Sequence, residues 1–591
     1  MELQYIPLKK NILIFLFFLV HAAASAQYYL RGEVKDERNN TLANARIRLH
    51  SSGYIYYSGS GGAFGITTTK KIDSVTVNMD GYHPVSLQLD AAKYQFIVLK
   101  MLYAAADIHK NRLLSFTKNL RPEDRQNFTA SGETYSSQVE NEFLNSRKYP
   151  ETGFAIHTDK AAYSNIRRFL NMGTTVPPDA IRVEELLNYF NFSYAAPLKD
   201  SVFAFESYIS ECPWNPDNQL LFLNVCAKKI EPEKIPASNL VFLIDVSGSM
   251  DMPNRLPLLK SAFKLLVDNL RDKDTISIVV YGSTTGVWLV PTSGKEKEKI
   301  RKAIEELTPA GATPGESGIR AAYRVAKSQF IANGNNRVIL ATDGDFNVGQ
   351  STEDELEKLI TQHQESGIYL TCLGVGMGNY KDSKLEVLAK KGNGNFAYLD
   401  NEKEAEKVLV KELTQTLYTV ADDAYLNIEF NSILVKEYRL IGYDNKIKAL
   451  ADTLSEVEGG EVGSGLSLIV IFELIPQYGR SESFSHKDGI AKVKLHYRKP
   501  ADPSQYISYY NCSTSSMEFI DLPKCFQFAA SITMFASLLK QSKYSKLYTW
   551  NDAIILAHQT HNPQDPLQKE FVGMIEKAKK IYSKIRKKPR G

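Results

Sequence analysis

The sequence predicts a multidomain protein whose centre is a doubly wound α/β (Rossmann-like) domain, with a β-sandwich before it and α+β segments on either side. Three observations predict this. A chain of 591 residues is too long for one hydrophobic core. Between about residues 237 and 418, near-continuous apolar runs alternate with amphipathic ones, as in a parallel sheet covered on both faces. Upstream, over 27–101, short alternating runs separated by Gly, Asn and Asp carry the period of strands alone.

The first element is a leader. Lys9 and Lys10 precede an apolar run over 12–20, and Ala22, Ala23, Ala24, Ser25 and Ala26 follow. A basic start, a short apolar stretch and small residues read as a signal peptide over 1–26, cut before Gln27. The run is short of the ~20 residues that span a bilayer. No Cys lies near the cut to carry a lipid, and no later stretch reaches membrane length. The mature chain is expected to be exported without a transmembrane segment, to the periplasm or the outer-membrane or cell surface.

Composition narrows the class further. The chain is 43% hydrophobic and 23% charged, with 32 Tyr and 28 Phe, so it has enough apolar surface to exclude long disordered stretches. Its net charge of +4 is small and concentrated in the tail 577–590, which reads as a solvated helix end rather than a nucleic-acid surface. Cys212, Cys226, Cys372, Cys512 and Cys525 fit neither a disulfide scaffold nor a zinc site. Cys372 reads as a buried thiol, while spacing leaves the pairs 212–226 and 512–525 open.

Segment 27–101 predicts a sandwich of about seven strands. Residues 102–143 read as a linker. Residues 144–236 form a mixed lead-in, with helices at 162–170 and 179–189 and a strand ending at 220–227; Pro177 and Pro178 lead into the second helix, with Asp179 as its N-cap. In the central domain, 237–418, strands fall at 239–246, 275–281, 287–290, 337–342, 368–374 and 395–399. Helices fall at 256–269, 296–307, 316–331, 352–364, 383–391 and 402–417. Segment 419–591 returns to strands at 425–430, 467–474 and 491–497, closed by helices near 526–539 and 566–580. The lead-in and this last segment bracket the central domain and are expected to pack together.

A doubly wound sheet binds its ligand outside the carboxyl ends of its strands, so the informative loops follow Val246, Thr342 and Gly374. The first holds Asp245, Ser247 and Ser249, with Gly248 allowing a sharp bend between the serines. One carboxylate and two hydroxyls converging on a point are hard oxygen donors, suited to Mg²⁺, Mn²⁺ or Ca²⁺ rather than zinc. Thr313 precedes the helix at 316–331, and Asp343 ends the strand at 337–342. This set resembles the metal-ion-dependent adhesion site of von Willebrand factor A domains. The resemblance implies that Ser247, Ser249 and Thr313 bind the cation directly while Asp245 and Asp343 act mainly through water. One coordination position then stays open for an Asp or Glu presented by a partner protein. Asp251 and Asp345 lie near the rim and read as loop residues.

Other stretches extend the resemblance. Gly32, Glu33, Val34, Leu42, Ala45, Gly61, Phe64, Asp80, Gly81 and Tyr82 resemble the carboxypeptidase regulatory-like domain, though Thr41 stands where a Pro is usual. Residues 163–170, 182–190 and 212–216 resemble a domain found just before this A domain in exported bacterial proteins. Residues 437–443 and 459–463 resemble its uncharacterised C-terminal companion. His157 departs from the acidic residue usual in those relatives.

Enzyme readings find little. His558 and His561 lack a carboxylate at zincin spacing, and neither a nucleophile elbow nor a phosphate-binding loop occurs. Gly374, Gly376 and Gly378 follow a strand but open no helix where a dinucleotide site requires one, and Ser247 has no sequence-evident base. No catalytic residue is expected. The expectation is a non-enzymatic, divalent-cation-dependent adhesion or assembly module of the cell envelope. The alternatives are an envelope protein whose metal only stabilises it, or a metal-assisted hydrolase using Asp245 and Asp343.

Overall fold

The computed structural model describes residues 28–101 and 133–585, except 38, 60, 80, 137–139, 157–158, 193–194, 199–200, 283–284, 310, 312–314, 345–352, 378–379, 413–414, 416–417, 444–458, 479–488, 501 and 503. The expected leader, most of the linker, His157, Thr313 and Asp345 therefore lie outside the described residues. The chain packs into two units.

The first unit is a β-sandwich of seven strands: β1 (Tyr28–Asp36), β2 (Arg46–Leu49), β3 (Ile55–Tyr57), β4 (Ala63–Thr68), β5 (Ile72–Asn78), β6 (Val85–Asp90) and β7 (Tyr94–Leu99). Sheet β4-β1-β7 faces sheet β3-β2-β5-β6. In β4 every second residue is buried, placing Phe64 and Ile66 in the core and Ala63 and Gly65 outside.

The second unit opens with β8 (Leu144–Asn145), β9 (Glu151–Ala155), α1 (Ala161–Asn171), α2 (Val183–Leu187), β10 (Phe203–Cys212) and β11 (Asn215–Ala227). The helix expected over 179–189 is shorter. A 3-10 turn covers Pro178–Ala180, Ile181 and Arg182 are extended, and only Val183–Leu187 is α-helical. Arg182 is the physical reason. Its guanidinium is buried and donates to Asp382 at 2.6 Å and to Glu185, which holds the backbone open ahead of α2.

The central domain follows: β12 (Ser238–Asp245), α3 (Leu256–Asp268), β13 (Thr275–Tyr281), β14 (Gly286–Ser293), α4 (Lys297–Glu305), α5 (Gly315–Ser328), β15 (Asn335–Thr342), α6 (Glu353–Glu365), β16 (Ile368–Val375), α7 (Asp382–Lys391), β17 (Phe396–Leu399) and α8 (Glu402–Glu406). The helix expected over 402–417 instead passes from α8 into a π-helical turn at Lys407–Lys411. The sheet runs β14-β13-β12-β15-β16-β17, a doubly wound order whose reversal lies between β12 and β15. Every residue of β12 and of β15 is buried, as covering on both faces demands.

The chain ends with β18 (Thr419–Phe430), β19 (Val435–Ile441), β20 (Gly460–Gly463), β21 (Ser467–Pro476), β22 (Ala491–Arg498), β23 (Gln505–Cys512), β24 (Ser516–Met517), α9 (Lys524–Lys540), α10 (Trp550–Thr560) and α11 (Pro566–Ile585). These strands interleave with the lead-in. One sheet runs β24-β10-β11-β21-β19-β8, and β9 joins β18 beside the sheet β20-β18-β22-β23. The two segments that bracket the central domain thus share sheets and cores. Residues of β10, β11, β19 and β21 pack with β18 and β22 between the two sheets. On the other side, α1 and α2 pack with α9, α10 and α11. In α9, Phe526, Phe528, Ile532 and Phe535 are all buried, each contributing about 1.5–3 kcal/mol of hydrophobic stabilisation.

The shared body grips the central domain through contacts that include buried ion pairs. Near α7, Arg182 meets Asp382, and Arg167 reaches Glu404 at 2.6 Å as well as Asp400. At the amino ends of the strands, Glu461 of β20 pairs with Arg337 of β15 at 2.5 Å, both buried. All five cysteines are free thiols, with Cys372 fully buried in β16. His558 and His561 sit at the end of α10, where His558 meets Glu576 at 3.2 Å. Among the described residues no helix is long and apolar enough to cross a membrane.

Candidate metal centre

The parallel register sets the site. Pairing places Tyr281 of β13 opposite Asp245 and Ala341 of β15 opposite Ile244, so Asp245 and Asp343 leave adjacent strands at the same edge. Asp245 is buried and both its oxygens are engaged. Oδ1 accepts the Ser247 amide at 2.8 Å; Oδ2 accepts the Thr342 hydroxyl at 2.8 Å and the Tyr281 hydroxyl at 3.2 Å. Burial and the neighbouring Asp343 carboxylate push the Asp245 carboxyl up to about 6, against these hydrogen bonds, which lower it.

After Asp245 the chain stays extended through Ser247 and then tightens into a 3-10 turn over Gly248–Asp251. That turn brings the Ser247 and Ser249 hydroxyls within 3.0 Å of each other, with Ser249 exposed. The Gly248 amide donates to the Gly311 carbonyl at 2.9 Å, tying this loop to the segment that leads to Thr313. Gly311 has φ +68°, a conformation that glycine adopts without strain. Asp343 lies just beyond β15 and is buried. Behind it Gly344 has φ +84°, and a Cβ there would stand 2.5 Å from the Lys381 amide nitrogen.

The structure therefore gathers four of the five expected residues, Asp245, Ser247, Ser249 and Asp343, at the carboxyl ends of β12 and β15; Thr313 lies outside the described residues. Their donors are oxygens only, two of them neutral hydroxyls side by side, which fits a hard divalent cation. Among the described residues no group of three or more His, Cys, Asp or Glu side chains is placed to hold a metal.

Sequence reasoning missed Arg255. It precedes α3, is buried, and its Nη1 donates to Asp343 Oδ2 at 2.6 Å and to the Ser249 carbonyl at 2.7 Å. Its Nη2 donates to the Met377 carbonyl at 2.8 Å, in the loop after β16. No local signal marks it, since an Arg at a helix start is unremarkable by sequence.

Comparison with known proteins identifies the family of each region. Residues 239–414 match the family described as von Willebrand factor type A domain, 129–222 that described as von Willebrand factor, and 415–581 that described as Uncharacterized protein YfbK, C-terminal. Uncharacterized protein YfbK of Escherichia coli (strain K12) is 37% identical over 454 residues, covering 73% of this chain and 78% of that protein. Inter-alpha-trypsin inhibitor heavy chain H2 of Mesocricetus auratus is 26% identical over 201 residues, which is 33% of this chain and 21% of that protein's length. A solved von Willebrand factor type A structure from Catenulispora acidiphila covers 64% of this chain and 91% of its own, at 15% identity and TM-score 0.37. With a von Willebrand factor A domain at its centre and a YfbK-type C-terminal region interleaved with the lead-in, this chain belongs to the family of YfbK.

Proposed function

We propose that this protein is a non-enzymatic binding module of the bacterial cell envelope that holds a protein partner through one divalent cation, Mg²⁺, Mn²⁺ or Ca²⁺. The observation that carries the reading is the pair of Ser247 and Ser249 hydroxyls, 3.0 Å apart at the edge where Asp245 and Asp343 leave adjacent strands. Ser247, Ser249 and Thr313 would hold the cation directly, and Asp245 and Asp343 would hold it through water. When bound, the cation supplies an electrophilic position that a carboxylate can complete. Asp245, with both oxygens already engaged, orients the Ser247 amide and keeps the loop in register. Ser249 brings the site to the surface, where an Asp or Glu of a partner can approach. The leader motif supports export to the periplasm or outer surface.

Two alternatives stay in view: a cation that only stabilises the fold, and metal-assisted hydrolysis. The test is calorimetric titration of Mg²⁺ and Mn²⁺ into metal-stripped mature protein, beside the Ser247→Ala/Asp343→Ala double variant. Saturable binding in the parent alone supports the site; no binding in the parent removes the basis of the reading. Partner capture that survives EDTA would favour the stabilising role, and turnover of a substrate the hydrolytic one.

A further inference from the structure

We propose that Arg255 is a positioning residue that sets the charge of the metal centre, by holding one oxygen of Asp343 and cancelling one of the two carboxylate charges. The inference rests on the divalent-cation reading above and adds to it a residue outside the Asp-x-Ser-x-Ser pattern. Arg255 joins the three loops that follow β12, β15 and β16 through the Ser249 carbonyl, Asp343 Oδ2 and the Met377 carbonyl, at 2.7, 2.6 and 2.8 Å. It lies in a slot made for it. Gly376 has φ +82°, and a Cβ there would stand 2.4 Å from Arg255 Nε. That Nε is buried and, among the described residues, has no hydrogen-bond partner. An orphaned buried donor is destabilising, so this placement is held by what the two terminal nitrogens do.

The charge count gives the consequence. Asp245 and Asp343 interact as like charges, and Arg255 pairs with Asp343 at 2.6 Å. A guanidinium does not deprotonate in a protein, so its charge is fixed. Two carboxylates and one guanidinium leave a net charge of about −1, which a divalent cation turns into about +1. A loaded site with that excess attracts an outside carboxylate. Without Arg255 the loaded site is neutral, the cation is held more tightly, and the partner's carboxylate gains less. Arg255 therefore exchanges metal affinity for partner selectivity.

The test titrates MnCl₂ alone into the EDTA-stripped mature protein, as parent, Arg255→Gln and Arg255→Lys. Removing the charge in Arg255→Gln is expected to lower the Mn²⁺ Kd about tenfold, whereas Arg255→Lys, which keeps the charge but loses the fork, stays within about threefold of the parent. Metal-free thermal unfolding is the second readout. Arg255→Gln should unfold earlier than the parent without metal and regain the parental midpoint at saturating Mn²⁺. Equal Kd values in all three proteins, or equal weakening in both variants with a deficit that Mn²⁺ does not repair, would make Arg255 a structural brace and overturn the proposal. A parent that binds no Mn²⁺ overturns it together with the cation reading, so the two failures are distinguishable.

Discussion

Replacing Glu461 by Ala would leave the buried Arg337 without its hydrogen-bonded carboxylate, and the structure sets the size of the effect. Neither side chain is more than 3% exposed. Arg337 donates to Glu461 through Nη2 at 2.5 Å and Nη1 at 3.3 Å, and through Nη1 to the Thr371 hydroxyl at 2.9 Å. After the substitution the Thr371 contact, the Tyr369 ring 5.4 Å from the guanidinium carbon, and the longer-range attraction of the Asp422 carboxylate still face the charge. Breaking one side of a buried pair costs about 3–5 kcal/mol, because the remaining charge stays desolvated. At about 2–4 °C per kcal/mol for a domain of 150–250 residues, the affected transition should fall by about 6–20 °C. Removing both charges in Arg337→Met/Glu461→Leu should recover most of that loss, since an apolar pair of similar volume pays no desolvation penalty. Differential scanning calorimetry at about pH 8.5, where Glu461, raised to about 7, is ionised, of the parent, both single variants and the double variant completes the cycle. A shift below about 2 °C for Glu461→Ala, or a double variant as unstable as the two singles added, would refute the reasoning.

Two further outcomes follow from other contacts. Burial pushes Glu461 up to about 7 despite Arg337, Asp159 up to about 6 despite Lys390, and Glu185 up to about 8 despite Arg182. All three are raised, so the stability they contribute is complete below their unfolded values near pH 4 and is lost as pH rises through about 6 to 8. The unfolding midpoint should fall across that window, and Glu185→Gln should flatten its upper part; a profile that rises there would contradict the assignment. Gly376→Ala combines a left-handed φ of +82° with a Cβ 2.4 Å from Arg255 Nε. It should cost about 1–3 kcal/mol in chemical denaturation, and a neutral result would mean that Arg255 does not need its slot.

The central domain was legible because its information is local. Each apolar run is a strand, and the motif residues stand at strand ends, where a doubly wound sheet must bind. What escaped was long-range. Nothing near Arg255 announces that Gly376 leaves room for it. Nothing in the period of β11 says that β21 will be its neighbour. The Pro177–Asp179 start signal opens only a 3-10 turn whose N-cap is Pro177 rather than Asp179, and the extended Ile181 and buried Arg182 separate that turn from α2. Helix α10 could have been found from its capping box, in which Thr549 and Asp552 satisfy each other, although its apolar stripe is weak. The glycines around Glu461, quoted above only as a resemblance, have a packing reason. A Cβ on Gly459 would stand 2.1 Å from the Asp423 carbonyl carbon, and one on Gly463 1.7 Å from the Gln415 carbonyl oxygen. They let β20 lie close enough for Glu461 to reach Arg337.

That junction and the metal centre sit at opposite ends of one strand, which invites the idea that the C-terminal companion controls cation binding. The strand argues otherwise. From Arg337 to Asp343 is about 20 Å of extended chain. Over that span β15 pairs in register with β12 on one side and β16 on the other, without a bulge, and all eight of its residues are buried. Coupling between distant sites needs an element with two discrete arrangements, and a strand fixed on both edges and both faces offers one. The companion body therefore contributes stability to the A domain without tuning its site. Glu461→Ala, although it unfolds earlier, should bind Mn²⁺ within about twofold of the parent when titrated well below its own transition, because the loops that hold the oxygens are untouched. A loss of affinity beyond about tenfold in that folded variant would show β15 moving as a unit, and the Arg337–Glu461 pair would then be a control point for the metal centre.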